Sequence, residues 1–128
     1  MRVIVGAALV RGGRLLAQCR ASPPEVAGRW ELPGGRVEPG ESEPAALRRE
    51  CLEELGARVS VTERLGPDLT LSPTSVLRVY LAALEPGSAE PAALEHVEVR
   101  WVGAAELPAL DWLEADRVLL PELALLLA

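Results

Sequence analysis

The chain has 128 residues, 49% of them hydrophobic, enough for one compact core and too few for a second domain, so residues 1–128 are read as a single domain. Nineteen acidic against 13 basic residues give a net charge of -6, and no segment gathers arginines into the stripe that a long polyanion would follow. Long nucleic acid is therefore excluded as an expected partner, while a small phosphate-bearing anion would need divalent cations or a few well-placed arginines to be held.

Two cysteines, Cys19 and Cys51, do not make a disulfide framework in a chain with this much apolar material, and both are expected as free thiols. The apolar run after Met1 turns polar at Arg11, too short for a signal peptide or a membrane span. A cytoplasmic protein without a membrane partner is expected.

Residues 3–10 and 15–18 are apolar runs around Arg11-Gly12-Gly13-Arg14, the pattern of a β-hairpin with a two-residue glycine turn. Pro23, Pro24 and Gly28 break regular structure before a short segment Trp30-Glu31-Leu32. From Pro33 to Gly40 the density of Gly and Pro predicts an ordered loop rather than an element. Ser42 then fits an N-cap, with Pro44 in the first turn and Gly56 as the C-terminal stop, which predicts a helix of about three to four turns. Val59 and Val61, the run Ser75 to Leu84, and Val97, Val99 and Trp101 predict three further strands. Leu119 to Leu127, with Pro121 near its start, predicts a closing packed helix. The order of elements is that of an α/β fold.

On the predicted helix Glu50, Glu53 and Glu54 fall within an arc of roughly 100°, while Leu47, Cys51, Leu52 and Leu55 occupy the side expected to face the core. Carboxylates on one face repel one another, and Arg49 alone does not neutralise them. Hard oxygen ligands gathered in this way suit Mg²⁺ or Mn²⁺. Glutamates are also common on solvated helix faces, so the context decides.

That context is the run from Gly35 to Ala57, in which Gly35, Glu41, Arg49, Glu50, Glu53, Glu54 and Gly56 fall at the seven fixed positions of G-x5-E-x7-R-E-U-x-E-E-x-G-U, where U is apolar. This resembles the Nudix box, and the U slots hold Cys51 and Ala57. The resemblance implies a Nudix fold, an α/β/α sandwich with a mixed β-sheet in which residues 35–57 form loop-helix-loop. It also implies roles. Glu50, Glu53 and Glu54, with the Gly34 carbonyl, would hold Mg²⁺, for which Mn²⁺ can substitute. Glu50 is in addition a candidate base for the attacking water, Arg49 would orient a ligand carboxylate, and Glu41 would brace the loop. Gly35 and Gly56 would shape its two ends.

Beyond the box the chain looks closest to MutT-type enzymes, which cleave free nucleoside triphosphates to monophosphate and pyrophosphate. Ala27-Gly28-Arg29-Trp30-Glu31-Leu32-Pro33 is similar to the segment that leads into their box, and Glu95 to a second carboxylate that approaches the metals from another loop. His96 is read as a loop histidine with a polar partner. Arg20 is similar to a phosphate-contacting arginine, and Arg78, amid apolar strand neighbours, faces either a nucleotide cleft or solvent. Asp116 stands where such enzymes read the base. As an acceptor it suits the exocyclic amine of cytosine, whereas guanine O6 needs a donor. It fits equally a cap on the last helix.

The resemblance thus implies nucleotide-pool sanitation with a preference for cytidine nucleotides, including 5-substituted ones. Hydrolysis of 8-oxo-dGTP is the alternative, and a catalytically silent nucleotide-binding module is the rival of another class.

Overall fold

The computed structural model describes residues 1–128. Its organising strand is β1 (Arg2–Arg11), in which Val5, Ala7, Ala8 and Leu9 are all fully buried. Apolar residues at both parities are what a strand covered on both faces requires. β1 runs antiparallel to β2 (Arg14–Cys19) through Gly12 and Gly13, whose φ values of 57° and 74° are those of a two-residue hairpin turn. On its other side it runs parallel to β6 (Ser75–Leu84), which pairs antiparallel with β5 (Val59–Ser72). β3 (Trp30–Glu31) and β7 (Glu98–Val102) both pair with β2, and β4 (Gly34–Arg36) pairs with β1. The sheet is therefore mixed.

Parity assigns each side chain to a layer. Val5, Ala7, Leu9 and Leu16 point to helix α1 (Glu43–Leu55), where Ala46, Leu47, Cys51 and Leu55 close one core. Ala8, Leu15, Ala17, Leu77 and Val79 point the other way. There they meet a 3₁₀ turn over Ala104–Ala109, helix α2 (Glu114–Val118) and helix α3 (Leu120–Leu127) in a second core. Helices on both faces of one mixed sheet make the α/β/α sandwich. No helix is long and apolar enough to cross a membrane.

Helix α1 starts and stops where its local chemistry dictates. The Ser42 hydroxyl accepts from the Ala45 N–H at 3.2 Å, and Gly56 takes φ 67° and donates its N–H to the Leu52 carbonyl. Leu52 itself is exposed, contrary to the expectation that it faces the core. It lies roughly 100° round the helix from Cys51, past the edge of the apolar stripe.

Other differences are instructive. Residues 34–36 form a strand rather than loop, because the glycines there permit close approach and not a turn: a Cβ on Gly34 would collide with the Val5 carbonyl. The strand beginning at Val59 continues to Ser72 through several register shifts, including one at Gly66-Pro67, which hide its alternation. The closing helix expected over Leu119 to Leu127 is present as α3, and a separate short helix, α2, precedes it where none was expected.

Trp112 fastens the second core to the loop before β3. It is fully buried, its indole N–H donates to the Leu107 carbonyl at 2.7 Å, and its backbone lies beside Trp30, which donates to the Asp111 carbonyl and accepts from the Leu113 N–H. Replacing Trp112 with Ala should cost about 3–5 kcal/mol, read as a lower urea midpoint with an unchanged slope.

Candidate active site

The box loop is held by one arginine. Arg49 donates Nε and Nη2 to the two oxygens of Glu41 at 2.7 and 2.9 Å, Nη2 to the Arg36 carbonyl at 3.0 Å, and Nη1 to Glu50 at 2.8 Å and Glu53 at 3.0 Å. Glu41 also accepts from the Glu38 N–H at 2.9 Å, which closes the turn. The Arg49 guanidinium, aided by that amide, pulls the Glu41 carboxyl down to about 2.

Glu50 and Glu54 lie deeper than Glu53. The Glu50 side chain is 17% exposed and packs on the backbone of Gly35, where a Cβ would overlap its carboxyl group. Glu54 is buried and accepts the Gly34 N–H at 2.9 Å. Burial raises the pKa of both. Arg49 opposes the rise at Glu50, while Glu53 and Glu95 add to it; the Gly34 amide and His96 oppose it at Glu54, where Glu50 and Glu31 add to it.

These groups fit a divalent cation by chemistry. Glu50, Glu53, Glu54 and Glu95 are hard oxygen donors, and two of them are buried or nearly so beside like charges that one guanidinium does not offset. They do not form a closed cage as they stand, since Glu50 and Glu53 turn to Arg49 and Glu54 to Gly34.

Next to them opens a cleft of about 380 Å³, mostly apolar, walled by Ile4, Leu32, Leu71, Leu77, Leu113 and Ala115. Glu54, Gly34 and Gly35 stand at one end and Asp116 in its wall. Asp116 is 5% exposed and accepts the Leu32 N–H at 3.3 Å. Burial pushes its carboxyl up to about 7; the Leu32 amide opposes this and Glu31 adds to it. It caps nothing: it lies inside α2, and α3 begins without a side-chain cap.

Between this cleft and a smaller polar pocket lined by Glu54, Glu95 and His96 stands a linked set of side chains. Arg20 donates to both oxygens of Glu31 at 3.2 and 3.0 Å, and His96 Nε2 lies 2.8 Å from the same carboxylate. Arg20 borders both pockets. The polar partner expected for His96 is thus Glu31, a residue singled out in the sequence only as part of the segment leading into the box. Its partner lies 65 residues away, so no spacing pattern announces it.

Arg78 is a correction. It was expected on either the nucleotide cleft or solvent, and it does not line the cleft. Its guanidinium pairs with Glu43 at 2.5 Å and Asp68 at 3.1 Å on the α1 side of the sheet, because the parity that sends Leu77 into the cleft sends Arg78 away from it. There it ties the start of α1 to the β5–β6 hairpin, away from the cleft in which a base-binding side chain would have to stand.

A NUDIX domain profile matches residues 1–123. The chain belongs to the Nudix family. It is 48% identical to "Putative 8-oxo-dGTP diphosphatase 2" of Mycobacterium tuberculosis, an alignment that covers 96% of this chain and 88% of that protein. Over 60 residues, 47% of this chain and 44% of the other, it is 45% identical to a CTP pyrophosphohydrolase of Escherichia coli. The solution structure of the E. coli ORF135 protein superposes with a TM-score of 0.83 at 31% identity, covering 100% of this chain and 91% of that one.

This Nudix hydrolase is accordingly a pyrophosphohydrolase of small nucleotides with the Nudix fold, in a family that generally uses Mg²⁺ or Mn²⁺. Its buried Asp116 has a measurable cost. A carboxyl whose folded pKa is raised keeps more protons than the unfolded chain between about pH 4 and 7, so its contribution to stability falls as pH rises through that window. Asp116→Asn should therefore raise the thermal midpoint relative to wild type at pH 8 by clearly more than at pH 5; an equal difference at both pH values would show that Asp116 does not titrate in that window.

Proposed function

We propose that this Nudix hydrolase cleaves nucleoside triphosphates to a monophosphate and pyrophosphate with Mg²⁺, Mn²⁺ substituting, and prefers cytidine nucleotides. On this reading residues 1–128 act as one domain on free nucleotides in the cytoplasm. Glu50, Glu53 and Glu54 with the Gly34 carbonyl, and Glu95 from its own loop, hold the ions. A bound divalent cation supplies charge neutralisation and Lewis-acid polarisation of a phosphoryl oxygen. Glu50 takes the proton of the attacking water, Arg49 fixes the direction of its carboxylate, and Arg20 grips phosphate where the apolar cleft meets the polar pocket. For a charge-dense triphosphate, such positioning and neutralisation carry most of the catalysis.

The observation that carries the base preference is Asp116, a carboxyl buried in the wall of an apolar cleft with one oxygen engaged by the Leu32 N–H. Ionised, its other oxygen accepts from the exocyclic amine of cytosine; protonated, it donates to guanine O6. With the carboxyl at about 7, both forms are populated near neutrality. The second reading, 8-oxo-dGTP, is favoured by the mycobacterial relative and is compatible with the protonated form.

Steady-state rates with dCTP, CTP, 5-methyl-dCTP, 8-oxo-dGTP and dGTP, with Mg²⁺ and with chelator, should put cytosine nucleotides first and fall to background with chelator. If 8-oxo-dGTP leads, the cytidine preference is wrong and the triphosphatase reading stands. The ratio of kcat/KM for dCTP over dGTP cancels groups common to both substrates. It should climb as pH rises through 7, and Asp116→Asn should flatten that climb and shift the ratio towards guanine. Glu53→Gln and Glu54→Gln should each lower kcat by orders of magnitude while the far-UV circular dichroism stays unchanged; near wild-type turnover in either would remove it from the metal site.

A further inference from the structure

Three polar side chains are buried in this protein, and two of them, Glu54 and Asp116, line the cleft. The third is Gln18, fully buried in β2, with neither the carboxamide oxygen nor the nitrogen partnered. Leaving such an amide unpaired costs about 1–3 kcal/mol, and Met or Leu fills a similar volume without that penalty. A polar group kept at such a cost calls for a use outside packing.

The register shows what it is next to. Gln18 stands directly across from Glu31 in β3 and from Val99 in β7, so these side chains leave the sheet on one face. Directly opposed antiparallel neighbours have Cβ atoms about 4.5–5.5 Å apart, within reach of a Gln and a Glu. Arg20, two residues further along β2, reaches Glu31 from the same side. Gln18 thus lies beside the carboxylate that Arg20 and His96 share.

We infer that Gln18 is a positioning residue: its carboxamide N–H holds the Glu31 carboxylate when Arg20 leaves it for the phosphates of the substrate. The inference rests on the phosphate role proposed for Arg20. The Arg20 side chain is 33% exposed and borders both pockets, whereas Glu31 is 16% exposed and His96 8%. The arginine is the most exposed of the three, tied besides Glu31 only to the Ser22 carbonyl of its own loop at 3.0 Å. Its departure leaves Glu31 with His96 as its remaining ligand, close enough to Glu54 and Asp116 to disfavour their charge. Glu31 already lines the cleft, and unrestrained its carboxylate turns further into it and repels an incoming triphosphate. Held by Gln18, it stays against β2 and keeps His96 in place.

The test is a double-mutant cycle on the full chain, with Gln18→Met and, as a second packing-neutral change, Gln18→Leu, each alone and combined with Glu31→Gln. The substrate is whichever triphosphate wild type turns over best. Gln18→Met should keep or raise the thermal midpoint and lower kcat/KM about tenfold, mainly through KM. In the Glu31→Gln background, where no carboxylate needs holding, the same change should move kcat/KM by less than about twofold. Undiminished kcat/KM in Gln18→Met, an equal loss in both backgrounds, or failure of both Gln18 variants to fold overturns the inference and leaves the triphosphatase standing. A wild-type protein that hydrolyses no triphosphate overturns both.

Discussion

The site depends on an imbalance of charge around Arg49. One guanidinium holds Glu41, Glu50, Glu53 and the Arg36 carbonyl together, which ties the loop to the helix. A bidentate pair such as Arg49 with Glu41 gives direction as well as energy, which a lysine ammonium does not. Yet the same guanidinium leaves Glu54 and Glu95 unanswered. The clamp that shapes the carboxylate cluster thereby keeps it short of positive charge, and a divalent cation answers that deficit better than a second arginine would, because it adds charge without adding bulk.

The sandwich explains how acidic groups come to be buried in so small a protein. Two cores, one on each face of the sheet, supply the stability, and the cleft opens where the sheet meets the last turn of α1 and the first turn of α2. Glu54 and Asp116 approach it from opposite layers, each pinned by a backbone N–H in the same short stretch, Gly34 for one and Leu32 for the other. Both carboxyls are destabilising when ionised without a partner. Stability bought in the cores is what permits them.

The legible parts of the sequence were those whose partners lie within a few residues. The α1 caps, the Gly12-Gly13 hairpin and the helix-face glutamates are local patterns, and they translate directly into structure. The glycines at 34 and 35 are local too, but they serve contacts with Val5 and Glu50 rather than a turn, so their meaning emerges only in the folded chain. Arg78 pairs with Glu43 35 residues away, and Glu31 with His96 65 away. In a sheet buried on both sides apolar residues occur at every parity, so alternation no longer tells which face a lone polar residue meets. Alternation therefore does not separate cleft from solvent for Arg78, nor mark Gln18 as lying beside Glu31.

Glu31 joins the two halves of the site. Its carboxylate raises the cost of charge on both Glu54 and Asp116, one in the carboxylate cluster of α1 and the other in the wall of the apolar cleft. Anything that changes the company Glu31 keeps therefore acts on both ends together. Arg20 and His96 both contact it and both border the polar pocket, so that pocket and the buried carboxyl in the cleft wall share one electrostatic neighbour. The charge of a carboxyl in the cleft wall is thus opposed first by its burial and then by Glu31, a residue that sits on β3 and is itself held by groups from two further segments.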